Sequence, residues 1–175
     1  GNESDDVLEM AYLNSYYQTG LKNLLDVAVL EAADVHRQLE PAKNFHKVDE
    51  IPFDFNRRRM SVVIAEHDHH HLIITKGAVE EVLSVCTSLR HGKSTEPLTE
   101  DLLAHIRNLT AGLNKEGLRV VAVAAKEGPP TQNIYNIDDE HELTLIGYVA
   151  FLDPPKDSTA PAIKALTNYG VDIKI

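Results

Sequence analysis

Two apolar runs of strand length flank a short polar segment near the middle of the chain. The runs are residues 61–65 and 72–75, and the segment between them is charged and rich in histidine. Aliphatic and β-branched runs separated by a polar turn favour a β-hairpin. A hairpin brings its two outer ends together, so residues 53–59 are expected to neighbour Lys76.

Other hydrophobic patterns predict further elements around this hairpin. Apolar residues at helical spacing predict helices over residues 7–17, 21–39, 77–87 and 100–115. Strand-like runs occupy residues 45–51, 119–125 and 143–152, whereas 91–97 and 128–139 are expected to be irregular. Up to about Ala150, this order favours an α+β fold with a twisted, mainly antiparallel β-sheet flanked by helices.

The pattern changes after residue 152. Asp153 opens a turn containing two prolines, a helix is expected to end at Asn168, and Gly170 opens a further strand. Strand, helix and strand form a βαβ unit, the start of a parallel sheet. We therefore predict one domain over residues 1–152 and the truncated start of a second over 153–175. Without an initiating Met or a signal peptide, the chain is expected to be cut from a longer protein.

Charge and composition narrow the classes of partner. The net charge of −10 over 175 residues argues against nucleic acid. No apolar run approaches the length of a membrane span, so this chain is not expected to contact a membrane itself. A single cysteine, Cys86, excludes an internal disulfide. Against this acidic background the cluster at residues 57–59, three consecutive arginines, stands out.

Aromatic and cationic side chains meet at the open end of the predicted hairpin. Phe53 and the three arginines precede the first strand, and Lys76 and Gly77 end the second. A ring beside fixed cations suits a purine nucleotide, because the base can stack and the phosphates need positive charge. The arginines are equally compatible with a solvated sheet edge that prevents association with another sheet.

Two other motifs give weaker signals. The histidines within residues 67–71 look like a metal site, but consecutive strand residues point to opposite faces and cannot all reach one ion. Residues 92–95, Gly-Lys-Ser-Thr, look like the end of a phosphate-binding loop, but the earlier glycine of that motif is missing. No nucleophile and base can be paired from the sequence, so we assign no catalytic residue and no metal ligand.

Several short motifs occur in the order and spacing of the P-type cation-transporting ATPases. Three of them resemble landmarks of the cytoplasmic nucleotide-binding (N) domain, and the fourth resembles the hinge to the phosphorylation domain; they are residues 53–62, 76–78, 117–119 and 152–155. Residues 25–29 resemble the acid-containing helix of the family. Residues 14–20 and 54–61 look most like the bacterial magnesium-transporting group.

The resemblance implies roles for individual residues at a nucleotide site. Phe53 would stack on adenine, Asp26 would accept a hydrogen bond from the adenine amino group, and Lys76 would lie at the bottom of the pocket. Helical periodicity alone places Asp26 off the apolar stripe and predicts a solvated charge. The full set of implied nucleotide-binding residues is Asp26, Phe53, Arg58, Lys76, Gly77, Arg119 and Asp153.

Within that set, Arg58 and Arg119 would approach the phosphates, and Asp153 would lie near the ribose or the hinge. The sequence departs from the family pattern in places. Phe55 stands where some members have a basic residue, and Lys156 replaces a frequent arginine, which loses bidentate geometry.

The resemblance also implies an enzyme, an ATP-hydrolysing ion translocase that transports magnesium and uses ATP with Mg²⁺. This chain would present the γ-phosphate to an aspartate in a neighbouring domain; the motif Asp-Lys-Thr-Gly-Thr does not occur in the chain, so the chain alone is expected to be inactive. Its partners would be the phosphorylation and actuator domains of the same polypeptide. The parent would be a multi-pass protein of the bacterial inner (plasma) membrane, with this domain in the cytoplasm. A metal-binding regulatory module and a protein-interaction module remain alternatives.

Overall fold

The computed structural model describes residues 5–31, 40–66, 70–152 and 159–170. Seven strands form one open sheet: β1 Phe45–Asp54, β2 Arg59–Glu66, β3 His71–Ala78, β4 Cys86–His91, β5 Ser94–Pro97, β6 Leu118–Gly128 and β7 Leu143–Leu152. Their order across the sheet is β1-β2-β3-β6-β7-β4-β5. Adjacent strands are antiparallel except β4 and β7, which run parallel. The predicted α+β fold with a mainly antiparallel sheet is confirmed.

The helices within these ranges are α1 Asp5–Tyr17, α2 Leu24–Leu30, α3 Pro41–Asn44, α4 Val79–Leu83, α5 Glu100–Lys115 and α6 Thr159–Asn168. A single 3-10 turn, Ile137–Asp139, interrupts the excursion between β6 and β7. Across the described parts of the chain, no helix combines the length and apolar character that a membrane crossing requires.

Both faces of the sheet are covered. The α1–α2 face is packed by α1 and α2, and its core includes Leu13, Leu25, Met60, Val62, Ile74 and Val123. The opposite, α4–α5 face is packed by α4 and α5 near the centre and by residues 129–142 near β1, and its core includes Val63, Ile73, Val82, Ala124 and Tyr135. Because side chains alternate along each strand, neighbouring residues of β2 and β3 serve different faces.

The helix predicted over residues 21–39 starts three residues later than expected. Asn23 caps it: its side chain accepts from the N–H of Asp26 at 3.0 Å, and the Asp26 carboxylate accepts from the N–H of Asn23 at 2.9 Å. This reciprocal capping box fixes the start at Leu24, and Leu21 before it is fully exposed. The end of the predicted helix, residues 32–39, lies outside the described residues.

The helix predicted over residues 77–87 is wrong in extent. Gly77 and Ala78 are the last residues of β3 because β6 supplies their pairing partners. Only five residues then form α4, and Cys86 already begins β4. The expected loop over 91–97 is also wrong, since residues 94–97 pair with β4 as β5.

The remaining predictions agree with the structure. The β2–β3 hairpin, α1, α5, β6, β7 and α6 lie where the patterns placed them, and Thr99 caps α5 through the N–H of Leu102 at 3.3 Å. The turn at Asp153 and the strand after Gly170 fall outside the described residues. The two-domain division therefore stays a prediction.

Candidate nucleotide-binding site

The hairpin of β2 and β3 places residues 53–59 beside Lys76 at one end of the sheet. Arg59 is paired with Gly77, and Met60 is paired with Lys76. The neighbourhood expected from the sequence is therefore present in the backbone pairing.

Phe53 lies on the same face of the sheet as Lys76. The β1–β2 ladder shifts register between Ile51 and Asp54, which leaves two residues of β1, Phe53 and the one before it, opposite Met60. Such a bulge re-aims a strand end. Met60 is paired with Lys76, so these two residues face the side covered by α1 and α2. Phe53, opposite Met60, is expected to face the same side.

The Phe53 ring is open to solvent rather than buried in the core. It is 51% exposed, and it meets the ring of Phe55 edge to face with the centroids 5.3 Å apart. Phe55 is 88% exposed. Such an exposed pair of rings offers apolar, polarisable surface to a planar ligand.

Lys76 and Asp26 form a buried ion pair on this face, with side chains 5% and 1% exposed. The ammonium of Lys76 donates to Asp26 Oδ1 and, at 2.9 Å, to Ser15 Oγ, whose hydroxyl donates to the same carboxylate oxygen at 2.8 Å. The solvated position expected for Asp26 from periodicity is wrong. As the third residue of α2, Asp26 turns back to its cap residue Asn23 and meets Lys76 there.

The pair is held in its charged form against the cost of burial. Burial opposes ionisation of Asp26, but the charge of Lys76 and hydrogen bonds from Lys76, Asn23 and Ser15 hold the pKa of its carboxyl below the ordinary value. Burial lowers the pKa of Lys76, and the Asp26 carboxylate opposes that change. Described residues engage two of the three ammonium N–H groups, through Asp26 Oδ1 and Ser15 Oγ.

Gly77 allows the arginine-rich turn to pack against β3. A Cβ at Gly77 would lie 2.5 Å from both the carbonyl oxygen of Arg58 and the Cβ of Arg59. That carbonyl oxygen accepts from the N–H of Ala78 at 2.9 Å. A side chain at position 77 would therefore push the turn away from the hairpin.

Arg58 and Arg119 occupy the same end of the sheet. The Arg58 side chain is 60% exposed and pairs with Glu81. Arg119 is exposed at the start of β6; it has the strand parity of Val123, which is paired with Lys76, so it belongs to the α1–α2 face. Asp153, the remaining predicted site residue, lies outside the described residues.

Two residues that the sequence patterns did not single out contribute to this end of the sheet. Ser15 bridges Lys76 and Asp26 from α1. Glu140, 2% exposed, accepts hydrogen bonds from two of the three arginines. A carboxylate three residues after Asn23 is a capping-box signal that could have revealed the start of α2, whereas no local signal links Glu140 to arginines some 80 positions away.

The structure describes two residues of the histidine-rich turn, His70 and His71. His71 is buried, and its Nδ1 lies 2.9 Å from the hydroxyl of Tyr135. In the described part of the chain, no three His, Cys, Asp or Glu side chains are grouped to hold an ion. Residues 67–69 lie outside that part.

Comparison with known families identifies the class of protein to which the chain belongs. The family model described as "P-type ATPase, cytoplasmic domain N" matches residues 5–158. This chain belongs to that family.

Full-length relatives make the similarity more specific. The chain is 53% identical over its whole length to "Magnesium-transporting ATPase, P-type 1" of Escherichia coli (strain K12) and 52% identical to the protein of that name from Salmonella typhimurium (strain 14028s / SGSC 2262). Over 79% of its length it is 31% identical to "Sodium/potassium exporting P-type ATPase 1" of Saccharomyces cerevisiae. The chain spans 20% of the length of the Escherichia coli protein and 14% of the yeast protein.

Proposed function

We infer that this domain binds ATP with the adenine stacked on Phe53 and presents the γ-phosphate to an aspartate of a neighbouring domain. The observation that carries this proposal is a half-exposed phenyl ring in β1 and a lysine in β3 that lie at the same end of the sheet, one on each side of Met60 of β2. A ring and a cation together recognise a base that carries phosphates.

The names of the relatives extend the proposal to the parent protein. It would be an ATP-hydrolysing translocase that transports magnesium and uses ATP with Mg²⁺. The phosphorylation and actuator domains of the same polypeptide would be the partners of this domain, on the cytoplasmic side of a bacterial inner membrane. The N-domain family supports the role in ATP binding, and the 53% identity to a magnesium-transporting ATPase supports the ion.

The described contacts refine the roles proposed for two site residues. Described residues accept from two of the three N–H groups of Lys76, and its side chain is 5% exposed, whereas that of Asp26 is 1% exposed. Asp26 would therefore act first by holding the ammonium in place, and a direct bond to the adenine amino group would need its side chain to shift. Lys76 is the proposed contact on the base and phosphate side. Arg58 and Arg119 remain proposed contacts of the phosphates, Asp153 is proposed to lie near the ribose or the hinge, and Gly77 remains a proposed nucleotide-binding residue.

Affinity should be modest because the base supplies most of the contact. One stacking interaction of about 1–3 kcal/mol and a few polar contacts correspond to a dissociation constant on the order of 0.1–1 mM. Titration with ATP, followed by NMR, should shift the amide signals around Phe53, Lys76 and Gly77. Shifts gathered instead at residues 67–71 would contradict the assignment.

A matched pair of variants tests the ring. Phe53→Ala should weaken ATP binding about tenfold and leave the fold intact, since stacking is worth about 1–3 kcal/mol. Tyr169→Ala removes another exposed aromatic ring, 87% exposed and outside the hairpin, and should bind ATP like the unaltered chain. Unchanged affinity in Phe53→Ala would remove Phe53 from the site.

Two measurements separate this proposal from its alternatives. The 175-residue chain should hydrolyse no ATP above background, and turnover that survives repurification would contradict the placement of the phosphorylated aspartate elsewhere. Calorimetry with zinc and with ATP distinguishes a metal-binding module. A module that only binds acidic proteins should show no preference for ATP over inorganic tripolyphosphate.

A further inference from the structure

Glu140 is a buried charge at the end of the excursion between β6 and β7. Its carboxylate accepts from a guanidinium nitrogen of Arg57, from Arg59 Nε at 2.8 Å and from Ser61 Oγ at 2.7 Å. Ser61 Oγ also lies 2.7 Å from the hydroxyl of Thr75. Burying a carboxylate is costly unless it is paired and hydrogen-bonded, and here both conditions are met on the α4–α5 face.

Arg57 links this hydrogen-bond network to Pro52, the residue that precedes Phe53. Its second guanidinium nitrogen donates to the carbonyl oxygen of Pro52 at 2.7 Å. The planar guanidinium fixes its donors relative to one another. Arg57 therefore links Glu140 to the backbone at Pro52, within the register shift between Ile51 and Asp54 that contains Phe53.

The turn between β1 and β2 adopts a conformation that needs such support. Arg58 has φ of 43°, in the left-handed region that non-glycine residues rarely adopt. The carboxylate of Asp54 accepts from the N–H groups of Asn56 and Arg57 at 2.8 and 2.9 Å. These bonds shape the turn locally, whereas Glu140 attaches it to a different part of the chain.

We propose that Glu140 is a positioning residue for the nucleotide site. It holds Arg57, and through Arg57 the carbonyl of Pro52, so that the Phe53 ring is presented on the face of Lys76. The same bonds leave Arg57 and Arg59 only 18% and 12% exposed, while Arg58 stays 60% exposed and faces outward. This inference rests on the proposed function, because it assumes that Phe53 binds the base.

The test compares Glu140→Gln with Glu142→Gln in the 175-residue chain. Glu142 is a matched control: it lies in the same excursion, its side chain is 75% exposed and it pairs only loosely with His141 at 3.7 Å. Binding of ATP and of adenosine is measured for each. Glu140→Gln should weaken both ligands by about fivefold or more, since adenosine depends on the ring and not on the phosphates, and Glu142→Gln should change neither.

Arg57→Lys provides a second test that preserves charge. A lysine at position 57 can still pair with Glu140 but cannot also hold the carbonyl of Pro52 as the guanidinium fork does. Arg57→Lys should show most of the loss of affinity for both ATP and adenosine, while Arg59 and Ser61 continue to donate hydrogen bonds to Glu140. If Glu140→Gln does not fold, the result for Arg57→Lys decides the question.

The outcomes separate this inference from the proposed function. Folded Glu140→Gln and Arg57→Lys chains that bind both ligands like the unaltered chain would overturn the positioning role, provided that Phe53→Ala binds weakly. Tighter binding of ATP with unchanged adenosine would overturn it too, because Glu140 would then only neutralise the arginines. If Phe53→Ala also binds normally, the proposed function fails and this inference falls with it.

Discussion

Two buried carboxylates lie on opposite faces of the same end of the sheet, and their partners differ in kind. Asp26, on the α1–α2 face, is paired with the ammonium of Lys76. Glu140, on the α4–α5 face, is paired with the guanidinium groups of Arg57 and Arg59. The first pair contributes groups that a ligand can meet, whereas the second supports the backbone beside them.

The difference between the two networks lies in what each cation keeps if its carboxylate is lost. Lys76 would keep only the hydroxyl of Ser15 as a hydrogen-bond acceptor among the described residues, and it is 5% exposed. Arg57 would keep the carbonyl of Pro52, and Arg59 would keep the carbonyl of Glu81 at 3.1 Å. The compact ammonium therefore depends on one carboxylate, whereas each guanidinium donates to a carboxylate and also to a backbone carbonyl.

Asp26→Asn should have the largest effect on stability. It leaves the buried ammonium of Lys76 without a counter-charge, so the free energy of unfolding should fall by about 3–5 kcal/mol. Urea unfolding followed by circular dichroism measures the loss. Adding Lys76→Met removes the orphaned charge and should restore part of the stability; a double variant as unstable as the sum of both single variants would show that the two side chains do not act as a pair.

Glu140→Gln should lower the free energy of unfolding less, by about 1–3 kcal/mol, the usual cost of unsatisfied hydrogen-bonding groups. The reason is that Arg57 and Arg59 keep other acceptors and partial exposure. The same urea experiment applies. A loss of stability equal to that of Asp26→Asn would show that the remaining acceptors do not compensate the guanidinium groups for the lost carboxylate charge.

The pH dependence of stability should distinguish Asp26 from its asparagine variant. The lowered pKa of Asp26 means that its stabilising contribution is complete above its ordinary value of 3.8 and is lost as pH falls through the lower, folded-state value. The stability difference between the unaltered chain and Asp26→Asn should therefore shrink on acidification. Each unit by which the folded-state pKa lies below 3.8 is worth about 1.4 kcal/mol. A difference that stays constant from pH 7 to pH 2 would contradict an ionised Asp26.

Loss of an exposed ion pair should have the smallest effect on the free energy of unfolding. Arg107 and Glu80 meet at 3.0 Å with side chains 47% and 56% exposed. Arg107→Gln should change the free energy of unfolding by about 0–1 kcal/mol, because solvent screens such pairs. Thermal unfolding at low and high salt measures it, and a loss as large as that of Glu140→Gln would undermine the argument from burial.

The candidate site was partly predictable from local sequence. The hairpin and the position of residues 53–59 beside Lys76 follow from two apolar runs separated by a polar turn. The extent of the helix after Gly77 could not be predicted from local sequence. Its start depends on β6, 40 positions further along the chain, because pairing with β6 keeps residues 77 and 78 in the sheet. Similarly, the burial of Asp26 depends on a lysine 50 positions away.

By itself, the sequence determined the elements whose cause is local: α1 and α5 from helical spacing, β2 and β3 from apolar runs, and the family from short motifs in register. The tertiary structure decided which charges are buried and paired. Whether Asp26 meets solvent or Lys76 depends on contacts with Ser15 and Lys76 on one face of the sheet, and whether Arg57 holds Pro52 or faces a ligand depends on its contact with Glu140 on the other. Such contacts arise only when packing brings distant segments together, and no periodicity along the chain encodes them.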